Sequence, residues 1–500
     1  MVRETEVARA SSALGVRVGV TEAEGPADGA GGVRASFDEA VLVSELQRWA
    51  RTPIATTEKG FTGLAPLTPE ELSRARPEVG GLGLMTPYVL LRSVALEQNL
   101  AAMARYCAAH GVELAPHAKT TMSPEIWAAH LRHGAFGLTA ATPHQVEVLR
   151  AFGVRRILLA NEIAGARAAR WLAGLLDADC DLELCCYVDD PAGVAALDDA
   201  LSRPGIRPGR RLPVLVELGY GGGRGGARDV ATALEVARSV RASRHLALLG
   251  AAGFEGLIGG GAATPEALDA ARRFAATLRR VGESLLGEGL IGSEAAGWGR
   301  AGRLVLSAGG SCFFDVVAEQ LGGGWSRSER PVVVLRSGGY ACHDHGLLAR
   351  SSPFVRGTAA GAVAPALEVW SRVIARPEPD LALLDAGRRD LSTDADLPVV
   401  VERRPADGAC EQATGGAEVI GGEEVIGTGR AGGAGGIEGL RVVACNDQHS
   451  YVRLADPSAL AVGDLVALGI SHCCTTFDKW RIIPMVDDEL RVAGVAHTFF

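Results

Sequence analysis

Lysine is almost absent. Only Lys59, Lys119 and Lys479 occur in 500 residues, so arginine supplies the other 47 of the 50 basic side chains. Chemistry that needs a primary amine therefore has three candidates. Positive charge is not in excess either: 50 basic residues face 59 acidic ones, a net charge of −9. That balance weighs against nucleic-acid or anionic-membrane binding. No apolar run approaches the roughly 18 residues needed to cross a bilayer, so no membrane span is expected. Residues Arg3, Glu4, Glu6 and Arg9 stand where a signal peptide needs an apolar core, and a cytosolic chain is expected. The ten cysteines include no CxxC pair, which excludes a disulfide scaffold and leaves most of them as small buried hydrophobes.

What is present is globular. The hydrophobic fraction is 47% and the charged fraction 22%, and the length suits two to three domains. Residues 1–40 show no sustained period and read as a flexible leader; 41–85 form an N-terminal segment expected to pack on a β domain. From residue 86 short apolar runs alternate with amphipathic stretches. The runs are Tyr88–Leu91, Val112–Ala115, Phe136–Ala140, Ile157–Ala160, Leu182–Val188, Val214–Leu218, Leu246–Ala251, Leu304–Ser307 and Val332–Leu335. Between them lie helical spacings such as Val94–His110 behind Ser93, Pro124–His133, Pro143–Phe152, Asp229–Val240 and Pro265–Leu285 behind Thr264. With the first run set aside, eight strands remain, which predicts a parallel (β/α)8 barrel within 86–345. A doubly wound sheet is the rival, but no GxGxxG follows the first strand.

Beyond residue 346 long helices give way to β-type runs at Ala366–Ile374, Val399–Val401, Leu440–Ala444, Ser450–Leu454, Asp464–Leu468 and Arg481–Pro484, predicting a C-terminal antiparallel β domain over 346–500. Within it, 404–438 repeats GAEVIG as GEEVIG beside a glycine-rich run and reads as a looped-out, low-complexity insertion.

Lys119 has the most telling position. The strand Val112–Ala115 runs through Pro116 and His117 to Lys119, and a helix starts near Pro124, so the lysine sits at a strand's C-terminal end, where barrels carry their chemistry. Half-buried there, its amine would have a depressed pKa and could form a Schiff base with a carbonyl; an ordinary surface lysine is the alternative. Gly309-Gly310-Ser311 follows the last run but one and suits a phosphate, although a bare GGS is weak in a chain with 65 glycines. Arg224, in the turn Gly219–Gly226, either overhangs the barrel mouth or is simply solvated. Near the end, His472 and Cys474 stand two apart. In an extended segment they face one way and could bind Zn²⁺, with His449 approaching from elsewhere. A buried histidine with two core cysteines is the plainer reading, and spacing alone favours it. His343-Asp344-His345 is a further metal candidate, more often structural.

Together these motifs resemble a family. In order they are Thr86-Pro87-Tyr88, Pro116-His117-Ala118-Lys119-Thr120, Gly309-Gly310-Ser311, Leu335-Arg336-Ser337-Gly338, His343-Asp344-His345-Gly346, Asp385-Ala386-Gly387, Asn446-Asp447-Gln448-His449, and His472-Cys473-Cys474-Thr475-Thr476-Phe477-Asp478-Lys479-Trp480. The chain resembles the pyridoxal-phosphate enzymes with an alanine-racemase-type barrel (fold type III) that act on D-amino acids: D-serine dehydratases, D-threonine aldolases and bacterial amino-acid deaminases. The resemblance implies that Lys119 carries pyridoxal phosphate, that Gly309, Gly310 and Ser311 hold its phosphate, and that His117, Arg224 and Tyr340 lie around it. It implies zinc, or another divalent metal, on His472 and Cys474, a D-amino acid as substrate, and a homodimer. His-x-Cys points to the dehydratase branch, with retro-aldol cleavage, racemisation and a non-catalytic cofactor carrier as alternatives. Two departures stand out: Phe254 in Gly253-Phe254-Glu255-Gly256, where relatives usually carry tyrosine, and Cys473, where proline is more usual.

Overall fold

The computed structural model describes residues 36–202, 210–292, 298, 302–326, 329–406 and 438–500. The expected leader up to residue 35 and residues 407–437 of the expected insertion lie outside them.

The first strand, β1 (Tyr88–Arg92), stays out of the barrel. The barrel is formed by β2 (Glu113–Leu114), β3 (Leu138–Ala140), β4 (Arg156–Glu162), β5 (Glu183–Val188), β6 (Leu212–Leu218), β7 (Leu246–Gly253), β8 (Val305–Ala308) and β9 (Val332–Leu335). They are parallel, in spatial order β2-β9-β8-β7-β6-β5-β4-β3. The two ends meet: the Phe136 N–H donates to Leu114 O at 2.7 Å and the Thr139 N–H to Pro116 O at 3.0 Å. These strands read as unbroken apolar runs because one face lines the barrel and the other meets the helices. Leu158, Tyr187, Leu215, Leu249, Val305 and Val334 fill the interior, with Trp298 donating its indole N–H to Glu183 O where β5 begins (3.0 Å).

The helix starts follow the sequence with one exception. Thr264 accepts from Ala267 N ahead of helix Pro265–Gly287, and Asp229 from Thr232 N ahead of Val230–Ala242. Ser93 was expected as a cap but is the first residue of helix Ser93–His110; its hydroxyl donates instead to Val486 O at 2.9 Å.

The second sheet holds β1 together with β10 (Leu367–Glu378), β11 (Leu381–Leu384), β12 (Val399–Arg404), β13 (Leu440–Cys445), β14 (Ser450–Leu454), β15 (Leu465–Gly469), β16 (Ile482–Val486) and β17 (Val492–His497). Its main path is β13-β14-β11-β10-β1-β16-β17, with β15 joining β10 and β12. All pairs are antiparallel except β1 with β16. The barrel therefore begins after β1 rather than at residue 86. All five residues of β1 are buried, so its pattern could not say which sheet it joins. Ile54, Phe61, Leu72 and Val79 share a core with Leu90, Trp370, Ala467 and Val492, so the N-terminal segment does pack on this sheet. Among the described residues no helix is long and apolar enough to cross a membrane.

Candidate active site

β2 delivers Lys119. Beyond Pro116 the chain turns through a single 3-10 turn, Ala118–Thr120, at the C-terminal mouth of the barrel. Lys119 is more open than the half-buried position expected: its surface is exposed. Protein crowding around the ammonium still lowers its pKa; Arg224 and Arg336 add to this and the Cys474 thiolate opposes it. His117, beside it, has its pKa held well below the usual imidazole value by burial first, then by the charges of Lys119, Arg336 and Arg224. Its Nδ1 is buried without a hydrogen-bond partner.

Arg336, at the end of β9, went unassigned in the sequence reading although it stands in one of the motifs. It is buried. Its Nη1 donates to Ser307 Oγ (2.7 Å) and its Nη2 to Gly253 O (2.6 Å), while Nε is left without a partner. Arg224 does overhang the mouth, with its guanidinium 5.0 Å from the centre of the Phe254 ring. The face of Phe254 thus holds a cation where a phenol was expected.

The glycine turn differs from expectation. The Gly309 and Gly310 N–H groups, offered to a phosphate by the sequence, donate to the buried carboxylate of Glu255 at 3.1 and 2.6 Å. Ser311 lies in the same turn, where its Oγ accepts from Tyr340 N at 3.2 Å. Tyr340 also departs from its expected role: its ring is buried and its hydroxyl pairs with His130 Nδ1 at 3.0 Å, so only its backbone reaches the turn.

Three carboxylates crowd the opposite rim, at the C-terminal ends of consecutive strands. Glu162, Asp189 and Glu217 bring oxygens within 4.8 Å of one another. The Gly226 N–H donates to Asp189 Oδ2 at 2.9 Å. Burial, a hydrogen bond with Glu162 and the charge of Glu162 raise the pKa of Glu217 to about 8. Sequence reading missed this group: Glu162 and Asp189 follow the apolar runs of β4 and β5, and Glu217 lies within that of β6.

The C-terminal motif meets the same mouth. Cys474 opens a short helix, Cys474–Phe477, and its Sγ lies 3.6 Å from Thr120 Oγ1, next to Lys119. His472 and Cys474 hydrogen-bond each other. That contact, outweighing burial and helped by the charges of Cys474 and Asp394, raises the pKa of His472 to about 10. The Cys474 thiol falls well below its usual value through hydrogen bonds from Cys473 and His472 and the charge of His472. Imidazolium and thiolate share a proton that a divalent ion would displace. Asp394 accepts from His472 Nδ1 at 2.7 Å and had no sequence signal.

His449 sits in the β13–β14 turn, and no hydrogen bond or ion pair among the described residues joins it to His472. Burial lowers the pKa of His343 and of His345 to about 4; His343 Nε2 and His345 Nδ1 are buried without a hydrogen-bond partner, and His345 packs on Gly469. Asp344 accepts from the N–H groups of Gly346 and Leu348. Lys59 pairs with Asp390 (2.9 Å) and lies over the Trp480 ring, and Lys479 pairs with Asp478.

The residues at the mouth fit pyridoxal phosphate: an open amine of lowered pKa, and orphaned polar atoms on His117 and Arg336 that await a partner. His472 and Cys474, one nitrogen and one sulfur donor, fit a divalent ion of borderline softness. Residues 92–296 match the alanine racemase N-terminal domain and residues 366–486 the putative serine dehydratase domain. Barrel and β domain in that order define a fold-type III pyridoxal-phosphate protein.

Within that class the chain is similar to lyases named D-threonine aldolase and D-threo-3-hydroxyaspartate dehydratase. It is 25% identical to the D-threonine aldolase of Arthrobacter sp over 407 residues, 81% of this chain and 89% of that one. It is 32% identical over 161 residues to the D-threo-3-hydroxyaspartate dehydratase of Delftia sp. (strain HT23), 32% of this chain and 40% of that one. The crystal structure of D-threonine aldolase from Filomicrobium marinum shares the fold, with a TM-score of 0.63 and 22% identity, covering 83% of this chain and 95% of that one.

Proposed function

We propose that the protein is a pyridoxal-phosphate- and divalent-metal-dependent dehydratase that removes water from a D-β-hydroxy amino acid, giving a 2-oxo acid and ammonia. One observation carries the reading: the tail puts Cys474, the sulfur of a nitrogen–sulfur donor pair, against Thr120, beside the only lysine amine at the barrel mouth. Pyridoxal phosphate, when bound, supplies the electron sink that makes an α proton acidic. A divalent ion on His472 and Cys474 would supply Lewis acidity toward a β-hydroxyl, making it a better leaving group. The chain's own work is positional. Lys119, with an amine of lowered pKa, takes the α proton. Arg224 and Arg336 keep a positive field over the mouth, which favours an anionic carboxylate.

Retro-aldol cleavage to glycine and an aldehyde is the second reading, because relatives matched over most of this chain are named D-threonine aldolase and 3-hydroxy-D-aspartate aldolase. A screen of D- and L-amino acids, with and without a chelator, separates the two. Chelator-sensitive ammonia and 2-oxo acid from a D-β-hydroxy amino acid support dehydration; glycine plus an aldehyde would replace it with the aldolase. The working unit is taken to be a cytosolic homodimer, which light scattering of the loaded enzyme tests.

A further inference from the structure

We infer that Asp394 is a positioning residue for the proposed metal pair, fixing the His472 ring so that its Nε2 is the nitrogen offered to a metal; the inference rests on the metal reading above. Asp394 lies in the segment joining β11 to β12, 78 residues before His472, and accepts from its Nδ1 at 2.7 Å. With Nδ1 engaged, Nε2 is the ring nitrogen left for Cys474 and for an ion.

The segment that carries Asp394 is tied to both flanks of the motif. Ser471 Oγ donates to Asp396 Oδ2 at 2.6 Å. Thr475 Oγ1 donates to Ser392 Oγ at 2.8 Å, and the Ser392 N–H donates to Thr476 Oγ1 at 2.9 Å. Trp480 Nε1 donates to Asp390 O at 2.7 Å. The carboxylate is itself oriented, since Ser392 Oγ donates to Asp394 Oδ1. Residues 390–396 thus fasten 471–480 on both sides of the donor pair, and Asp394 is the member that touches a donor.

The His472–Asp394 contact is at the rim, with side chains 35% and 43% exposed. A pair in that setting adds roughly 0–1 kcal/mol to stability, so a structural purpose would be weakly served. Orienting a ligand is a different task, and loss of such a partner costs roughly 10–100-fold in metal affinity.

The test uses the full-length, cofactor-loaded protein. Zinc affinity is measured by chelator competition, and the site geometry by the absorption spectrum of the cobalt(II) form, for wild type, Asp394→Asn and Asp394→Ala. The expected result is zinc binding weakened roughly 10–100-fold in Asp394→Ala and less in Asp394→Asn, whose amide oxygen can still accept from Nδ1, with altered cobalt bands and unchanged melting temperature and cofactor absorbance. Zinc affinity within about twofold of wild type in both variants, with unchanged cobalt bands, overturns the inference while leaving the metal reading intact. If wild type binds no zinc, or Cys474→Ala binds it as tightly, the metal reading fails and the inference goes with it.

Discussion

The thiol of Cys474 lies 3.6 Å from the hydroxyl of Thr120, although 354 residues separate them in the chain. This contact joins the β domain to the barrel where the chemistry is proposed. Replacing Cys474 with Ala should abolish stoichiometric zinc and lower ammonia release roughly 100-fold or more, a loss of several kcal/mol of leaving-group stabilisation. Cofactor absorbance should persist. Full turnover by a metal-free Cys474→Ala protein would remove the metal from the mechanism.

Lys119 is expected to be indispensable to cofactor retention. Lys119→Ala should emerge from gel filtration without the cofactor band and with no measurable turnover. Lys59→Ala and Lys479→Ala should keep both, because those amines are engaged by Asp390 and Asp478. A band of wild-type intensity in Lys119→Ala would exclude this lysine as the attachment point.

Gly338 buttresses the turn that carries Lys119. A Cβ there would stand 2.6 Å from Thr120 Oγ1 and 2.9 Å from His117 O, too close for either to stay in place. Gly338→Ala should therefore push the 117–120 turn outward. Cofactor affinity, measured by titration of the apoprotein, should fall about tenfold or more, since a misplacement of order 1 Å is costly at such a site. Unchanged affinity would mean that the turn yields freely.

Glu217 carries a pH signature. Its carboxyl keeps a proton up to about pH 8 in the folded protein, against 4.5 in the ordinary state. Between those values the folded form binds more protons than the unfolded one, so this residue makes stability fall as pH rises through the window and level off above it. Glu217→Gln should remove that slope. Against wild type it should gain about 2 kcal/mol at high pH and little near pH 5, since the proton is shared with Glu162 and the site is partly open to solvent. Urea unfolding at the two pH values checks it; a parallel offset at both would show that Glu217 is ionised throughout.

The barrel was legible because its strands are buried on both sides and so appear as apolar runs at regular intervals, each followed by a helical stripe. The failures have local causes. β11 is only Leu381–Leu384, and β17 is rich in glycine and alanine, which weakens a strand signal. Lys119 was legible because lysine is so rare and its place at a strand end so specific. The Glu255 carboxylate on the Gly309 and Gly310 N–H groups and Asp394 on His472 were not, because each contact spans more than fifty residues and leaves no mark on its neighbours in sequence. Tyr340, named for the cofactor's surroundings, reaches the glycine turn through its backbone N–H while its ring turns into the core to His130, a division its neighbours in sequence do not mark.

The placement of β1 between β10 and β16 has an architectural outcome. The polypeptide lays down one strand of the distal sheet, departs to wind the whole barrel, and only then returns to surround that strand. No single cut yields two intact halves, because a fragment stopping after β9 strands β1 without either neighbour, and one starting at β10 leaves a gap in the middle of its sheet. Barrel and sheet must be inherited, expressed and folded as one object, which is how a donor pair near the carboxyl terminus arrives at a fixed distance from an amine in the first quarter of the chain.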